Sequence, residues 1–268
     1  MRIFLSLILF FSTSAFAVCE FKTDVSKVIS LSGSSTVILK ELGLLTHKKV
    51  QGISLFNPVT DKEYQGKAYP GGIFLSRETL KEFSGAVVFY DEARELRKVL
   101  ESTESVDGRE IKTRNLNPDE AVSETLKVIT PYLHQCEDKM TSLRQKVKSL
   151  MEEILIKLPE GFSAIFYLGE FRNGRAPDMV MANDGVIKWL KEKNKIKTYP
   201  STLAYVSWSA KIISALPKNT LHVGLKDNGR EGRKEIKKSS RRMTLIYPGV
   251  LVPGISQLEA FLFLIRSL

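Results

Sequence analysis

The sequence predicts an α/β protein of two Rossmann-like lobes with parallel sheets, joined by one long linking helix. Short apolar strands alternate with helical segments twice along the chain, and a long helical stretch separates the two runs. We expect residues 18–116 to form the N-terminal lobe, residues 117–158 the linking helix and residues 159–268 the C-terminal lobe. A chain of 268 residues suits two domains of modest size or one large one.

The first lobe is predicted from the alternation of its segments. Strands are expected at "KVISL", "KVQGISL" and "GAVVFY", a possible edge strand at "IKTRNL", and helices at "SSTVILKELGLL", "SRETLKEF" and "DEARELRKVLES". Ser34 or Ser35 is expected to cap the first helix, and Ser76 the second. The polar stretch "FNPVTDKEYQGKAYPGGIFL" between them is predicted to be a loop, of a length typical of functional or mobile segments.

The linking helix is predicted from Pro118 to Leu158. Asn117 is placed to cap it, and Pro118 takes the first helical position, where proline is favoured. Pro131 should kink or split the stretch, because proline lacks the backbone donor that a helix interior needs. A continuous helix at ~1.5 Å per residue would cover about 60 Å, enough to connect two lobes.

The alternation starts again in the second lobe. Strands are expected at "FSAIFYL", "NTLHVGL" and "MTLIYP", and helices within "MVMANDGVIKWLKEK" and at "SWSAKIISAL", "GREGRKEIKKSS" and "GISQLEAFLFLIRSL".

Residues 1–17 match a secretion signal and are not expected to belong to the fold. Arg2 supplies a positive charge, an apolar run follows, and "AFA" at residues 15–17 fits a cleavage site. The apolar run is shorter than the ~20 residues of a membrane span. We therefore expect a periplasmic protein of a Gram-negative-type cell. The alternative is lipid attachment at Cys19, which fits poorly because Val18 stands where a small residue is preferred.

Net charge and cysteine usage constrain the partners. The formal net charge of +10 is compatible with nucleic acid, an acidic surface or an anionic ligand. Export argues against nucleic acid, and an ordinary solvated basic face would also explain the charge.

An exported chain meets oxidising conditions, so Cys19 and Cys136 are expected to form a disulfide, with two buried thiols as the alternative.

Catalytic and metal motifs are not found in the sequence. It contains neither a G-x-x-x-x-G-K phosphate loop nor a G-x-S-x-G nucleophile turn. Its three histidines, His47, His134 and His222, are not paired at metal-ligand spacing. We expect no catalytic residue, no metal and no cofactor.

Several segments, taken in order, resemble the class III periplasmic binding proteins. The opening "KVISLSGSSTVILKELGL" has the family's Leu-Ser turn and later Leu-Gly, although Gly33 stands where proline is usual and Val37 where glutamate is usual. The segments "YPGGIFLSRETL", "NDGVIKWLKEKNKIKTYPSTLAYVSWSAKIISALPKNTLHV" and "MTLIYPGVLVPGISQLEAFLFL" resemble later blocks. The likeness extends over nearly the whole mature chain and depends on the order and spacing of these segments.

The resemblance implies a monomeric binding protein that carries cobalamin, iron–siderophore complexes, haem or metal ions to an ABC permease of the inner membrane. The lobes would hinge modestly about a stiff helix, with the ligand held where strand ends of both lobes face each other. Candidate ligand-binding residues follow predicted strands: Ser32, Ser34, Phe56, Tyr69, Phe74 and Tyr90 in the first lobe, and Glu170, Phe171, Arg172, Arg175, Trp208 and Tyr247 in the second.

The loop "YLGEFRNGRAPD" indicates the chemistry of the ligand. Arginine guanidinium groups hold carboxylates and phosphates bidentately, and aromatic rings supply flat apolar contact. Arg172 and Arg175 therefore favour an anionic, partly aromatic ligand such as a siderophore, a corrinoid or a haem-like tetrapyrrole. The alternative is that both arginines belong to an exposed loop without a ligand.

Two positions depart from the family pattern. The resemblance implies one surface glutamate on each lobe that docks onto arginines of the permease. The best matches are Arg77, with Glu78 next to it, and Lys211. Basic residues there would repel the permease, because like charges in contact cost up to several kcal/mol. Either a permease has co-adapted, or the protein is a periplasmic sensory or interaction module that has lost importer docking.

Overall fold

The computed structural model describes a defined part of the chain. The described residues are 18–54, 57–70, 75–171, 177, 179–199, 203, 205–207, 209, 217–228 and 233–268, with the backbone alone for Arg94. None of the helices in these ranges combines the length and apolar character that a membrane span requires.

The first lobe is built on a parallel four-stranded sheet. Its elements are β1 (Glu20–Phe21), β2 (Lys27–Ser30), α1 (Gly33–Glu41), β3 (Val50–Ile53), α2 (Asp61–Tyr64), α3 (Arg77–Lys81), β4 (Ala86–Asp91), α4 (Arg94–Glu101) and β5 (Asp107–Ile111). The sheet order is β3-β2-β4-β5, and every pair is parallel. Val28 and Phe89 join one apolar cluster, and Ile29 and Val88 join another. The two central strands therefore bury apolar side chains on both faces of the sheet, as expected for strands covered on both faces.

Three details of the first lobe differ from the sequence prediction. The edge strand β5 ends at Ile111, where the predicted strand "IKTRNL" began, because an exposed edge strand with charged residues lacks the apolar signal of a central strand. Ser32, instead of Ser34 or Ser35, caps α1, and its Oγ accepts the N–H of Ser35 at 3.2 Å. The predicted polar loop contains α2. The Ser76 cap of α3 is confirmed.

The predicted linking stretch is split where proline was expected to split it. Helix α5 (Pro118–Ile129) ends in a 3₁₀ turn (Thr130–Tyr132) and the short strand β6 (Leu133–His134), and α6 (Glu137–Lys157) follows. The Asn117 cap is confirmed, since its Oδ1 accepts the N–H of Glu120 at 3.0 Å. The 21 residues of α6 cover about 32 Å. The long linking helix is thus α6, and no continuous rod of about 60 Å forms at ~1.5 Å per residue.

The predicted disulfide between Cys19 and Cys136 is confirmed. The two half-cystines are bonded with an S–S distance of 2.09 Å, beside the antiparallel pair of β1 and β6. They are 117 positions apart in the sequence. The bond therefore joins the start of the described chain to the start of α6 and encloses the whole first lobe and α5 in one covalent loop.

The second lobe is built on a mixed sheet. Its elements are β7 (Phe162–Leu168), β8 (Met179–Met181), α7 (Gly185–Glu192), β9 (Ile196–Lys197), β10 (Tyr205–Ser207), β11 (Leu221–Lys226), β12 (Glu235–Ser239), β13 (Arg242–Ile246) and α8 (Ile255–Ile265). The order is β10-β8-β7-β11-β13-β12, with β9 beside β7. Strands β7, β11 and β13 are parallel, whereas β8, β10 and β12 are antiparallel to their neighbours.

The helix predicted at "GREGRKEIKKSS" is wrong in the part that the structure describes. Residues 235–239 form the edge strand β12, antiparallel to β13. The turn between them passes through Ser240, whose φ is 53°. The prediction depended on the helix propensity of the lysine and glutamate residues in this segment. Propensity is a weak preference, and pairing with β13 at the edge of the sheet overrides it. The helix predicted at "SWSAKIISAL" lies almost wholly outside the described residues.

The two lobes share one apolar core. Phe89 of the first lobe and Phe166 and Phe261 of the second belong to the same cluster of buried residues. Helix α5 packs against α1 on one side and against α7 and α8 on the other. The lobes also meet at Gly33, the first residue of α1. A Cβ on Gly33 would lie 2.8 Å from Val252 Cγ2, so glycine allows the second lobe to approach the start of α1 closely.

Candidate functional site

A cavity of about 270 Å³ lies between the lobes. Asp91 is the last residue of β4 and Ile111 the last of β5, so the cavity opens at the carboxyl ends of parallel strands, where α/β sheets place their ligands. The lining is Asp91, Glu92, Ile111, Thr113 and Arg114 from the first-lobe side, and Asp184, Tyr205, Leu251 and Pro253 from the second.

The second-lobe wall is organised around Asp184, which is buried directly before α7. The hydroxyl of Tyr205 donates to its Oδ2. Burial, reinforced by the Asp184 carboxylate, raises the pKa of Tyr205, so the phenol stays protonated and acts as a donor. One edge of the cavity thus presents a fixed phenol–carboxylate pair.

Asp184 also ties the two lobes together. The backbone N–H of Asn115, which follows β5, donates to Asp184 Oδ1 at 3.3 Å. Lys188 Nζ of α7 donates to the Asn115 carbonyl at 2.9 Å. Asn115 has a φ of 64°, the left-handed conformation that asparagine tolerates better than most residues. The orientation of the lobes is therefore coupled to residues at the edge of the cavity.

The first-lobe wall is formed by Asp91. Its carboxylate accepts the Ser32 hydroxyl at 2.6 Å and the Gly33 N–H at 3.3 Å. Desolvation raises the pKa of Asp91, and the two hydrogen bonds, which favour the charged form, oppose that rise. The carboxylate lies at the amino terminus of α1, where the helix dipole also favours negative charge.

Behind Asp91 the first turn is a buried network of hydroxyl groups. The Ser30 hydroxyl is 2.6 Å from the hydroxyls of both Ser35 and Thr36. Asn57 Nδ2 donates to the Ser30 carbonyl at 3.0 Å and to the Ser32 carbonyl at 3.3 Å. These bonds hold the turn in one conformation, because breaking any of them would leave a buried polar group without a partner.

The ligand candidates of the first lobe that the structure describes, Ser32, Ser34, Tyr69 and Tyr90, do not line this cavity. Ser32 is fully buried, and Ser34 is 4% exposed, with an Oγ that has no hydrogen-bond partner in the described part of the chain. Ser32 lies behind Asp91, to which its hydroxyl donates. Tyr90 packs in the apolar cluster beside Leu96, and Tyr69 is exposed. Phe56 and Phe74 lie outside the described residues.

The ligand candidates of the second lobe that the structure describes, Glu170, Phe171 and Tyr247, do not line this cavity. Glu170 forms an ion pair with Lys226, with 3.1 Å between Glu170 Oε2 and Lys226 Nζ. The Phe171 ring meets the Tyr167 ring edge-on at 5.3 Å. Tyr247 lines a separate cavity of about 170 Å³ between the lobes. Arg172, Arg175 and Trp208 lie outside the described residues.

The docking positions are described in part. Arg77 and Glu78 are both exposed at the start of α3. A hydrogen bond to the Glu78 backbone, and then one to the Ser76 side chain, lower the pKa of Glu78. Lys211 lies outside the described residues.

Sequence reasoning missed the residues that line the cavity. Asp91 and Glu92 directly follow a correctly predicted strand, so the strand-end rule could have found them. Thr113 and Arg114 were missed because the preceding strand was placed too late. Tyr205 stands in a short strand with no distinctive signal.

The described lining is acidic. It contains three carboxylates, those of Asp91, Glu92 and Asp184, and one guanidinium, that of Arg114. In the described ranges no group of three or more His, Cys, Asp or Glu side chains is arranged to hold a metal ion. The lining can offer hydrogen-bond acceptors, the Tyr205 hydroxyl and apolar contact from Ile111 and neighbouring residues.

Solved structures with the same fold include several periplasmic binding proteins. The apo form of the periplasmic haem-binding protein RhuT from Roseiflexus sp. RS-1 matches with a TM-score of 0.63 at 14% identity, over 91% of this chain and 97% of that chain. A possible iron-binding periplasmic solute-binding protein from Staphylococcus epidermidis matches with a TM-score of 0.65 at 17% identity, over 91% and 98%. A periplasmic haem-binding protein from Pseudomonas aeruginosa matches with a TM-score of 0.60 at 14% identity, over 90% and 93%.

These likenesses establish the fold. No family model and no curated protein sequence matches the chain. At identities of 14–17% the structural match shows the architecture alone. The predicted resemblance to the class III periplasmic binding proteins is confirmed at that level: two lobes with parallel strands at their centres, linked by a long helix.

Proposed function

We propose that the protein is a periplasmic solute-binding protein that captures a small ligand between its lobes and delivers it to an ABC importer. The observation that carries this proposal is the cavity at the strand ends, which residues of both lobes line. The similar structures are described as haem- or iron-binding periplasmic proteins, which supports the same assignment. The role is non-enzymatic: the ligand is held and released unchanged.

The ligand is proposed to be haem, a ferric siderophore or a corrinoid. A cavity of about 270 Å³ is slightly smaller than typical ligand pockets, which span about 300–1,000 Å³. A ligand of this class would therefore need the lobes to open, or would extend beyond the described lining. Arg172 and Arg175 follow β7 in the sequence, and in this proposal they bind the anionic groups of the ligand on the second-lobe side.

The proposal is tested by titrating the protein with haem, ferric citrate and diaquacobinamide, with visible absorbance and melting temperature as readouts. We expect at least one to bind with a Kd in the micromolar range or below. Glu92→Trp places a large ring in the cavity and should weaken that ligand about tenfold or more, since the ligand must displace the indole. Glu101→Trp, an exposed acid at the end of α4, is the matched control.

Two results would count against solute binding in this cavity. The first is that none of the three compounds changes the absorbance or the melting temperature. The second is that Glu92→Trp and Glu101→Trp bind the ligand equally well, which would place its site elsewhere.

A second candidate function is supported by the exposed Arg77. A basic residue at a position where importer-linked proteins are expected to carry an acid favours a sensory or interaction module that has kept the fold. Adjacent genes for a permease and an ATPase would favour transport, and their absence would favour this alternative. In both cases the ligand cavity is the same.

A further inference from the structure

The amino terminus of α1 already holds a carboxylate from the protein itself. Helix α1 has nine residues, and its first free N–H groups would ordinarily attract an anion. Asp91 occupies that position through Ser32 Oγ at 2.6 Å and the Gly33 N–H at 3.3 Å. Because Asp91 also lines the inter-lobe cavity, its carboxylate stands between the helix terminus and any ligand there.

The position that Asp91 occupies is rigid. Ser32 is fully buried; its hydroxyl also accepts the Ser35 N–H at 3.2 Å, and its carbonyl accepts the Thr36 hydroxyl at 2.9 Å. The side-chain Nδ2 of Asn57, a residue that is 3% exposed, donates to the same Ser32 carbonyl. A turn fixed in this way holds one carboxylate without reorganising, which is the requirement for a selective contact.

The carboxylate lacks a cationic partner among the side chains that the structure describes. Its hydrogen bonds satisfy one edge of the carboxylate, and the residue is otherwise exposed at the cavity that it lines. A ligand anion placed there would face like charge, whereas a cationic or hydrogen-bond-donating group would be attracted.

We propose that Asp91 is a specificity-determining residue: it fills the anion position of α1, so the first-lobe wall of the cavity selects ligand groups that carry positive charge or donate hydrogen bonds. This inference rests on the proposed function and deepens it. A bound ligand is oriented with a cationic or hydrogen-bond-donating group toward Asp91.

The anion position can be tested without knowing the ligand. In Asp91→Ala the position is empty and opens to the cavity, so added formate should take the place of the lost carboxylate. We expect saturating formate to raise the melting temperature of Asp91→Ala by about 2–4 °C more than chloride at the same ionic strength. Wild type and Glu92→Ala, which removes the neighbouring exposed acid of the same cavity, should show no such difference.

Ligand selection is tested with probes of opposite charge. Asp91→Asn preserves the shape of the side chain and removes its charge. Its Kd for the diaquacobinamide cation should rise about tenfold relative to wild type, while its Kd for haem, which carries two anionic propionates, should stay equal or fall. Glu92→Gln is the matched control, and its ratio of the two Kd values should move less.

The outcomes separate this inference from the proposed function. If formate stabilises Asp91→Ala no more than Glu92→Ala, Asp91 does not fill an anion position, and the inference is overturned. If Asp91→Asn changes both Kd values by the same factor, selection by charge is overturned while solute binding stands. If neither probe binds wild type, the cavity assignment fails for those compounds, and the formate result still decides the role of Asp91.

Discussion

The two lobes build their walls of the cavity in different ways. The first-lobe wall is an all-parallel sheet end backed by buried hydroxyl groups, and the whole lobe is closed by the Cys19–Cys136 disulfide. The second lobe has a mixed sheet without a disulfide in its described part. Its wall depends on Asp184, which is bonded to Tyr205 of its own lobe and to Asn115 across the cavity.

This difference indicates that the two walls contribute to ligand binding in different ways. The first-lobe wall is preorganised, because its polar groups bond to one another and do not depend on where the second lobe stands. The second-lobe wall changes with the orientation of the lobes, because Asp184 takes one of its hydrogen bonds from Asn115. Selection would then come mainly from the first lobe, and the response to a bound ligand mainly from the second.

The largest expected effect comes from opening the covalent loop of the first lobe. Replacing both Cys19 and Cys136 by serine frees a loop of 117 positions. Chain-entropy arguments give about 4–5 kcal/mol of lost stability for a loop of that length. Denaturant unfolding followed by far-UV circular dichroism measures it.

The same experiment can locate the loss. Both tryptophans, Trp189 and Trp208, belong to the second lobe, so their fluorescence reports that lobe. In the double variant we expect the circular dichroism transition to begin at lower denaturant than the fluorescence transition. Wild type under reducing conditions should behave like the variant. If both transitions shift together by the same amount, the disulfide stabilises the molecule as a whole, and the contrast between the lobes is weaker than proposed.

An intermediate effect is expected at the ion pairs that join the lobes. Lys146 of α6 lies 2.9 Å from Glu41 at the end of α1 and 2.9 Å from Glu259 of α8. These two carboxylates raise the pKa of Lys146 despite its partial burial. Lys146→Met leaves them facing each other without a cation. The cost should be about 1–2 kcal/mol at low salt, less than for a fully buried pair because the groups are partly solvated.

The matched control for Lys146 is Lys148→Met, which removes an exposed lysine from the same helix. Adding Glu41→Gln to Lys146→Met should recover part of the loss, because one of the two unpaired charges is gone. The effect should shrink in about 1 M salt, where the screening length is ~3 Å. If Lys146→Met and Lys148→Met are equally stable at low salt, the ion pairs do not hold the lobes.

The sequence predicted the elements whose signals are local. The strand at residues 86–91 was found because its apolar run is continuous, and the Asn117 cap because its residue type and the following proline are diagnostic. The interruption of the helical stretch near Pro131 was also predictable, because proline lacks the backbone donor that a helix interior needs. The disulfide followed from an even cysteine count and the expected compartment.

The complete lining of the cavity could not be predicted, because several of its residues come together only through tertiary contacts. Asp184 and Asn115 are 69 positions apart and meet across the lobes. Ser32 was expected to face a ligand, but the turn contacts Val252 and bonds to Asp91 instead. Local patterns identify strand ends, yet they do not show which strand end is covered by another segment of the chain.

The smallest expected effect concerns the pH dependence of the second lobe. Burial, and then the charge of Arg242, lower the pKa of His222 from its ordinary value of 6.5. Its Nδ1 lies 2.7 Å from the Tyr167 hydroxyl, and the two rings stack. Because the folded-state pKa is depressed, the unfolded chain binds the proton first as the pH falls. The contribution of His222 is therefore complete above about pH 6.5 and declines below it.

His222→Gln should lower the free energy of unfolding by about 0.5–1 kcal/mol at neutral pH, the net contribution of one hydrogen bond. The stability measured by tryptophan fluorescence should also fall less steeply in the variant as the pH is lowered. His47→Gln is the control, since burial and nearby lysines also lower the pKa of His47, but it lies in the first lobe against Phe21. It should leave the second-lobe transition unchanged between about pH 7.5 and pH 5. A constant difference between wild type and His222→Gln over that interval would mean that His222 does not titrate with unfolding. The second lobe would then owe its pH response to groups outside this stack.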